Sequence, residues 1–378
     1  MDRSAIESLQ ELVGQISDPR VVGRSRHLLS EVVSITILAV LCGADDFVGV
    51  AEFGQMRYEW LKQFFELPSG IPSHDTFQRV MGLIDPKQFS ACLVSWTSAL
   101  QTAIKGRHIA VDGKTARGSV RKNKGLRAMH LVSAWATQSG LTLGQVAVDE
   151  KSNEITAIPE LLELLSLKGA VITIDAMGMQ KEIVETIRGK QADYVIGLKD
   201  NQPTLAADMR KLLEEGCNTD FQGLKTDLYT TVENAHGGVE QRDVRTIEIP
   251  ADSPHRLNWK DLRTLVVVLK RFERDGNETF ESRLYLSNLP PKAKPIAMYI
   301  RSHWGIENSL HWTMDVTFNE DRHRLIERNA VCNMSAVRRL AISILRQDKS
   351  SKVGAKNKRL KAALNPNYLL SVLNNLKF

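Results

Sequence analysis

Cysteine is scarce in this sequence. Its 378 residues include four cysteines, and no two of them stand at the C-x-x-C spacing of a redox or metal motif. Cysteines so far apart do not suit the disulfide framework of a small secreted domain. We therefore predict reduced, structural thiols in a cytoplasmic protein.

Long apolar runs are also missing. The stretch Val32–Cys42 is too short to span a bilayer, which takes about 20 residues, and is better interpreted as a buried helix. The N-terminus lacks the basic and then apolar segments of a signal peptide. No internal repeat or low-complexity linker is visible. A membrane partner is not expected.

A large charge imbalance is absent as well, since 50 basic and 44 acidic side chains leave a formal net charge of +6. This surplus favours an anionic partner such as nucleic acid, although a basic enzyme with a neutral partner has the same balance. Part of the surplus lies between Lys349 and Lys361. A solvated terminal helix explains that run as well as a DNA contact does.

What is present divides the chain into segments. Residues 1–104 have helical apolar spacing and predict an N-terminal helical domain for DNA-end binding or assembly. Ser73 is a good N-cap after a turn, where a DNA-reading helix-turn-helix and a plain packed helix pair both fit. Residues 216–290 contain strand-like stretches and predict a β-rich insertion. Residues 349–378 form a basic C-terminal region.

Residues 105–215 alternate between strand and helix patterns. A strand at 109–113 is followed by a hairpin signal at Gln138–Gly140, and then by helix, strand, helix and strand. This order predicts an α/β fold with a mixed sheet flanked by helices, its antiparallel strands first and its parallel strands after. Helices predicted at about 296–313 and 329–345 complete this core in residues 291–348.

Two apolar strands each end on an aspartate. Asp112 follows Ile109–Val111, and Asp175 follows Val171–Ile174. Buried strands rarely carry a carboxylate. One hairpin and one helix separate the two strands in sequence, and this connection would let the strands lie side by side. Adjacent carboxylates repel each other, so one must be protonated or a cation must lie between them. Such oxygen ligands suit Mg²⁺ or Mn²⁺, and a pair of these ions drives phosphodiester chemistry.

A third acid is expected on the predicted helix Arg301–Trp312. At helical spacing, His303, Glu307 and His311 share one face. A zinc site has the right residue types there but lacks the compact H-E-x-x-H spacing. Asp315, Glu320 and Asp321 are rival acids downstream, and Asp315 is the main alternative to Glu307.

These segments together resemble the DDE transposases of bacterial insertion sequences, in the branch that contains the H-repeat-associated proteins. The motifs that carry the resemblance extend along nearly the whole chain: Ala110–Thr115, Asp149–Pro159, Thr173–Gly178, Lys199–Gln202, His236-Gly237 with Glu240 and Arg242, and Arg301–Trp312 with Asp315.

The resemblance implies an RNase H-like catalytic core with a β-rich insertion before the last acid. It implies that Asp112, Asp175 and Glu307 are the catalytic, metal-binding triad, with Mg²⁺ as the cofactor and Mn²⁺ able to substitute. The expected reaction is cleavage and strand transfer of an insertion-sequence element. The expected partners are double-stranded DNA, as terminal inverted repeats and target, and a second copy of the chain in a DNA-bound homodimer, in the cytoplasm at the nucleoid.

The basic and polar residues of these motifs are the expected DNA contacts: Lys114, Arg117, Arg121, Lys199, Asn201, His236, Arg242, Arg301 and His303. Related transposases carry Tyr and Arg seven and four residues before the Glu and Lys seven after it, where this chain has Ile300, His303 and Met314. Gly238 also replaces the Arg of a His-Gly-Arg motif. These departures leave two alternatives open: a catalytically retired DNA-binding protein, and a metal-dependent nuclease without strand transfer.

Overall fold

The computed structural model describes residues 4–21, 23–99, 108–119, 128–148, 153–235, 237–323, 325 and 327–374. In these ranges the strands are β1 (His108–Ala116), β2 (Met129–Ala136), β3 (Leu141–Ala147), β4 (Val171–Ile174), β5 (Asp193–Leu198), β6 (Thr226–Ala235), β7 (Gly238–Glu248), β8 (Thr264–Arg274) and β9 (Asn277–Ser287). The helices are α1 (Ser4–Gly14), α2 (Leu29–Leu41), α3 (Phe47–Met56), α4 (Tyr58–Leu61), α5 (His74–Leu83), α6 (Pro86–Ala99), α7 (Glu154–Glu163), α8 (Lys181–Gly189), α9 (Pro203–Asn218), α10 (Pro254–Asn258), α11 (Ala293–His303), α12 (Trp312–Val316), α13 (Arg328–Gln347), α14 (Ala355–Leu364) and α15 (Pro366–Asn374).

The strands belong to a mixed sheet in the order β3-β2-β1-β4-β5-β9-β8-β7-β6. β2 and β3 form an antiparallel hairpin, whereas β4 pairs in parallel with both β1 and β5. Gly140 closes the hairpin with a φ of 67°, a conformation that glycine adopts without a Cβ clash. The predicted α/β class, with a mixed sheet flanked by helices, is confirmed.

One compact unit, here the first unit, comprises Met1–Ala103, Gly113–Lys151 and Glu307–Phe378. Its central helix is α13, which is buried from Ala330 to Leu345 and packs against α2, α5, α6 and β3. α2 is predominantly apolar and is buried from Glu31 to Leu41, as is typical of a helix enclosed by protein. Ser73 caps α5 by accepting a hydrogen bond from the Thr76 amide at 3.3 Å, so the predicted helix start is confirmed.

The second unit comprises Ile104–Asp112 and Ser152–Ile306. The strand-rich stretch extends the sheet here, because β9 pairs antiparallel with β5, and β8, β7 and β6 follow in turn. α11 covers one face of these strands, and its Ile296 and Ile300 are buried against Val171, Val195 and Val244. Among the described residues, no helix has both the length and the apolar character needed to cross a bilayer.

The helix predicted from about 296 to 313 is present, but a π-helical turn inside it interrupts the α-helical hydrogen bonding. α11 ends at His303, a π-helical turn spans Ile306–His311, and α12 begins at Trp312. A π-helical turn bonds residue i to i+5 and changes which side chains share a face. The α-helical spacing on which the shared face of His303, Glu307 and His311 was predicted is therefore altered by this turn.

Candidate active site

Strands β1 and β4 bring the two predicted aspartates to equivalent positions. The parallel register pairs Ala110 with Thr173 and Val111 with Ile174, so one residue further Asp112 stands opposite Asp175. Neighbouring strands lie about 4.8 Å apart, and paired residues point to the same face. Asp112 is half-buried and Asp175 is exposed. The register therefore places Asp112, in the middle of β1, beside Asp175, which directly follows β4. The strand predicted to end at 113 continues to Ala116, so only Asp175 stands at a strand end.

The backbone after Asp175 is held in a tight turn. The Asp175 carboxylate accepts a hydrogen bond from the Met177 amide at 3.1 Å. A Cβ at Gly178 would lie 2.3 Å from Cγ2 of Ile174, and a Cβ at Gly197 would lie 2.9 Å from the backbone nitrogen of Ala176. Both positions therefore require glycine for space. Sequence reasoning missed these two residues, because the crowding depends on contacts that a single sequence does not reveal.

A loop after β5 supports the same turn. Asn201 donates from its side-chain amide to the carbonyl of Ala176 at 2.8 Å, and Gln202 donates to the carbonyl of Met179 at 3.0 Å. Asn201, predicted as a DNA contact, thus has a structural partner beside Asp175. Lys199 is exposed in the same loop, and its positive charge acts to lower the pKa of Asp175.

The pKa of Asp175 is nevertheless raised, first by desolvation and second by the negative charge of Glu154. Asn153 caps α7 by accepting a hydrogen bond from the Ile155 amide at 3.0 Å, and this cap places Glu154 at the start of the helix. Negative charge therefore accumulates around Asp175, as expected where a cation is bound. The oxygen donors are of the type that Mg²⁺ and Mn²⁺ prefer.

Asp112 and Asp175 are suited to be two of the ligands of a divalent ion. Within the described ranges, no three His, Cys, Asp or Glu side chains form a cluster able to hold a metal ion by themselves. Mg²⁺ is commonly bound by one or two carboxylates together with water and substrate phosphates. Asp112 and Asp175 supply that number of carboxylates.

Glu307, the predicted third acid, lies on the π-helical turn. Its side chain is exposed, whereas the neighbouring Ile306 and Leu310 are buried. π-helical turns occur frequently at functional sites.

The rival acids downstream of Glu307 surround a buried lysine. The Nζ of Lys114 lies 2.7 Å from Asp315, 3.2 Å from Asp321 and 3.3 Å from Glu320. Burial alone would raise the pKa of Glu320, but the positive charges of Arg339 and Lys114 outweigh it and lower the pKa to about 2. The Asp315 carboxylate is thus engaged in an ion pair with Lys114, an ammonium that it shares with Glu320 and Asp321.

His303, a predicted DNA contact, belongs to a buried hydrogen-bonded chain. The Thr173 hydroxyl lies 2.8 Å from Nδ1 of His303 and 2.7 Å from Nε2 of His108. Burial lowers the pKa of His303 to about 4 and that of His108 to about 3, so both rings are neutral at neutral pH. The chain connects α11 with β1, which contains Asp112, and with β4, which Asp175 follows.

The remaining predicted DNA contacts differ in their surroundings. Arg117 is exposed, and its guanidinium lies 3.9 Å from Asp321. Arg242 and Arg301 both form ion pairs with Glu240. Arg121 and His236 lie outside the described residues.

Comparisons with known proteins agree with this architecture. Residues 104–344 match the family model described as the transposase DDE domain, and residues 10–97 match the model of a region associated with that domain. The chain is 40% identical over 373 residues to "Putative transposase YncI" of Escherichia coli O157:H7, covering 98% of this chain and 95% of that protein. It is 38% identical over 379 residues to "H repeat-associated putative transposase YhhI" of Escherichia coli K12, covering 97% of this chain and 98% of that protein.

The DDE domain model implies an RNase H-like core, and the parallel strands β1, β4 and β5 beside the hairpin β2–β3 agree with it. The family model covers more than half of the chain, and the relatives are similar over nearly its full length. The chain therefore belongs to the family of transposases with a DDE domain, in the branch of the H-repeat-associated proteins.

Proposed function

We propose that this transposase cleaves the DNA ends of an insertion-sequence element and joins them to target DNA, with Asp112, Asp175 and Glu307 as its catalytic acids. The observation that carries this proposal is the β1–β4 register, which aligns Asp112 with Asp175. Glu307 completes the set by its resemblance to the last acid of the family. Its exposure on the π-helical turn leaves its carboxylate accessible.

The three carboxylates would hold divalent ions, with Mg²⁺ as the natural cofactor and Mn²⁺ as a substitute. The ions would activate the attacking oxygen and stabilise the leaving oxygen of an in-line displacement. Asp112 would bind from within β1 and Asp175 from the end of β4, and their spacing is kept because the two strands pair within the sheet. The Gly178 and Gly197 contacts would hold the backbone at Asp175 in position.

The reaction has two phosphodiester steps. In the first, water attacks the phosphorus at the end of the element, and the 3′-oxygen leaves as a 3′-hydroxyl. In the second, that hydroxyl attacks a target phosphodiester and displaces the target's 3′-oxygen. The substrates are the terminal inverted repeats and the target DNA, both double-stranded. A DNA-bound homodimer would hold the two ends, in the cytoplasm at the nucleoid.

Exposed cations would hold the DNA backbone near the acids. Lys199 is exposed on the loop that supports Asp175, and Arg117 is exposed just after β1. Contacts of this kind release counterions, so binding should weaken steeply with salt.

The test is a cleavage and joining assay on a duplex that carries the inverted repeats flanking the gene, with Mg²⁺ or Mn²⁺. We expect Asp112→Asn to abolish cleavage, a loss of at least about a thousandfold if the metal site is lost, while DNA binding is retained. Asp252→Asn is the matched control. It removes the same negative charge, and Asp252 is exposed in the turn before α10. An Asp112→Asn protein that cuts at the wild-type rate would refute the proposal.

A second candidate, a retired transposase that only binds DNA, is favoured by one observation. Ile300 and Met314 occupy positions that are polar in related transposases, and both are buried, at 8% and 0% exposure. These positions therefore contribute to packing. Wild-type protein that binds the ends without cutting them would support this candidate, and cutting without joining would indicate a nuclease.

A further inference from the structure

The face of the sheet under α11 changes character along the strands. Val244 on β7 and Val268 on β8 are paired and lie in the core beneath Ile296 and Ile300. Two residues further, the same face carries Arg242 opposite Lys270. The apolar face thus ends where α11 ends, and a charged surface begins there.

Like charges stand directly opposite each other on this surface. Arg242 is paired with Lys270 across β7 and β8, and Glu233 is paired with Glu240 across β6 and β7. Opposed like charges destabilise a sheet unless an opposite charge lies between them. The surface therefore requires specific ion pairs.

Glu240 provides those ion pairs. Its carboxylate lies 2.5 Å from Arg242, 2.9 Å from Lys270 and 3.9 Å from Arg301. Arg301 also donates a hydrogen bond to Glu233. One carboxylate thus holds three cations from two strands and a helix.

Burial differs sharply between the anion and the cations. The Glu240 side chain is 6% exposed, whereas those of Arg242, Lys270 and Arg301 are 29%, 36% and 51% exposed. The carboxylate therefore lies beneath, and the cationic groups reach solvent above it. Glu281 stands opposite Lys270 on β9 and pairs with Arg283, so the same face carries four cations against Glu233, Glu240 and Glu281, and one positive charge is left over. Guanidinium groups held side by side suit the oxygens of a phosphate.

We propose that Arg242, Lys270 and Arg301 form a clamp for the DNA backbone phosphate, and that Glu240 is the positioning residue that holds the three cations together. This inference rests on the proposed function, in that the ligand is the DNA on which the transposase acts. Lys270 is a DNA contact that sequence reasoning did not identify. Glu240 acts on DNA only through the cations it holds.

The test measures the affinity of the full-length protein for a duplex carrying the inverted repeat, by fluorescence anisotropy over a range of salt concentrations. Each phosphate contact contributes about −0.9 to the slope of log K against log salt. Lys270→Gln should therefore make the slope less steep by about 0.9. It should also weaken binding to the inverted-repeat duplex and to unrelated duplexes by the same factor, because a phosphate contact does not depend on base sequence. Arg271→Gln is the matched control, because the neighbouring Arg271 points to the opposite face of β8 and pairs with Glu278.

Glu240→Gln tests whether Glu240 acts by holding the three cations in position or only by its own negative charge. Removal of a negative charge would strengthen DNA binding if charge alone mattered. The clamp predicts weaker binding, because the three cations would then repel one another. Glu273→Gln, with the same charge change on the opposite face of β8, should not weaken binding. Thermal melting verifies folding, and if Glu240→Gln does not fold, the Lys270→Gln slope decides alone.

The outcomes are distinguishable. Wild-type protein that does not bind the duplex would overturn both the clamp and the proposed function. Wild-type binding with an unchanged slope in Lys270→Gln would overturn the clamp alone.

Discussion

Thr173→Val is the sharpest test of the packing beside the candidate site. The substitution replaces a hydroxyl with a methyl group of similar size and preserves the β-branched shape that β4 favours. Thr173 and His108 are each 2% exposed, so water cannot replace the lost group. The hydroxyl has one proton to donate and two lone pairs, and it bridges Nε2 of His108 and Nδ1 of His303.

The expected cost follows from these two contacts. A typical hydrogen bond contributes about 1 kcal/mol net, and a buried polar group left facing a methyl costs about 1–3 kcal/mol. Loss of both bonds, with two ring nitrogens facing the new methyl, should lower the free energy of unfolding by about 2–4 kcal/mol. Because both imidazoles are neutral, the loss should be present at neutral pH.

Urea unfolding measures this change as a shift of the midpoint at constant m-value. Thr186→Val is the control: Thr186 is a half-buried residue on α8 whose hydroxyl donates to the Glu182 carbonyl at 2.8 Å. Its substitution should change the free energy of unfolding by about 0.5 kcal/mol or less. If Thr173→Val destabilises the protein no more than this control does, the His108–Thr173–His303 chain is not the connection inferred here.

Two further predictions concern buried charge. The pKa values of His108 and His303 are lowered to about 3 and about 4, while unfolded histidine titrates near about 6.5, so the unfolded chain binds more protons between these values. The free energy of unfolding should be constant above about pH 6.5. At lower pH it should decrease by up to about 1.4 kcal/mol per pH unit for each histidine. Urea midpoints that do not move between about pH 7.5 and about pH 5 would contradict this. Lys114→Met should destabilise the protein by about 3–5 kcal/mol, because three carboxylates lose their shared cation. It should not change the salt dependence of DNA binding, and a slope less steep by about 0.9 would instead identify Lys114 as a phosphate contact.

The sequence predicted those features that depend on local patterns. Runs of β-branched residues predicted β1 and β4, and the order of strands and helices between them led to the parallel pairing. That pairing is what aligns Asp112 with Asp175. The aspartate pair could thus be inferred because one simple connection governs its geometry.

The π-helical turn could not be predicted in this way. An apolar pattern such as Ile306 and Leu310 suits an α-helix equally well, since the two residues are four positions apart. The change of hydrogen bonding shows only in the structure. This is why the sequence predicted a helix here but not the π-helical turn that alters the spacing between His303, Glu307 and His311.

Charge in the sequence is an incomplete guide to DNA contacts, because partners distant in sequence decide which cations are available. Lys114 was predicted to contact DNA, but its acidic partners follow about two hundred positions later, as with Asp321, from which it is 207 residues away. In the basic C-terminal run, Lys358 donates to the carbonyls of Leu345 and Asp348, at 2.9 Å and 2.6 Å. Arg359 likewise lies 2.9 Å from Asp45.

A buried glutamate beside a lysine has different consequences at two places in this protein. Lys114 and Lys270 are both lysines beside a buried glutamate, and sequence alone does not separate them. Lys114 is 8% exposed among three carboxylates, so its charge is matched within the protein. Lys270 is 36% exposed and shares its glutamate with two arginines, so positive charge remains for a ligand. Salt-dependent binding should therefore change with Lys270 and not with Lys114, a contrast that depends on strand register and burial rather than on the number of basic residues.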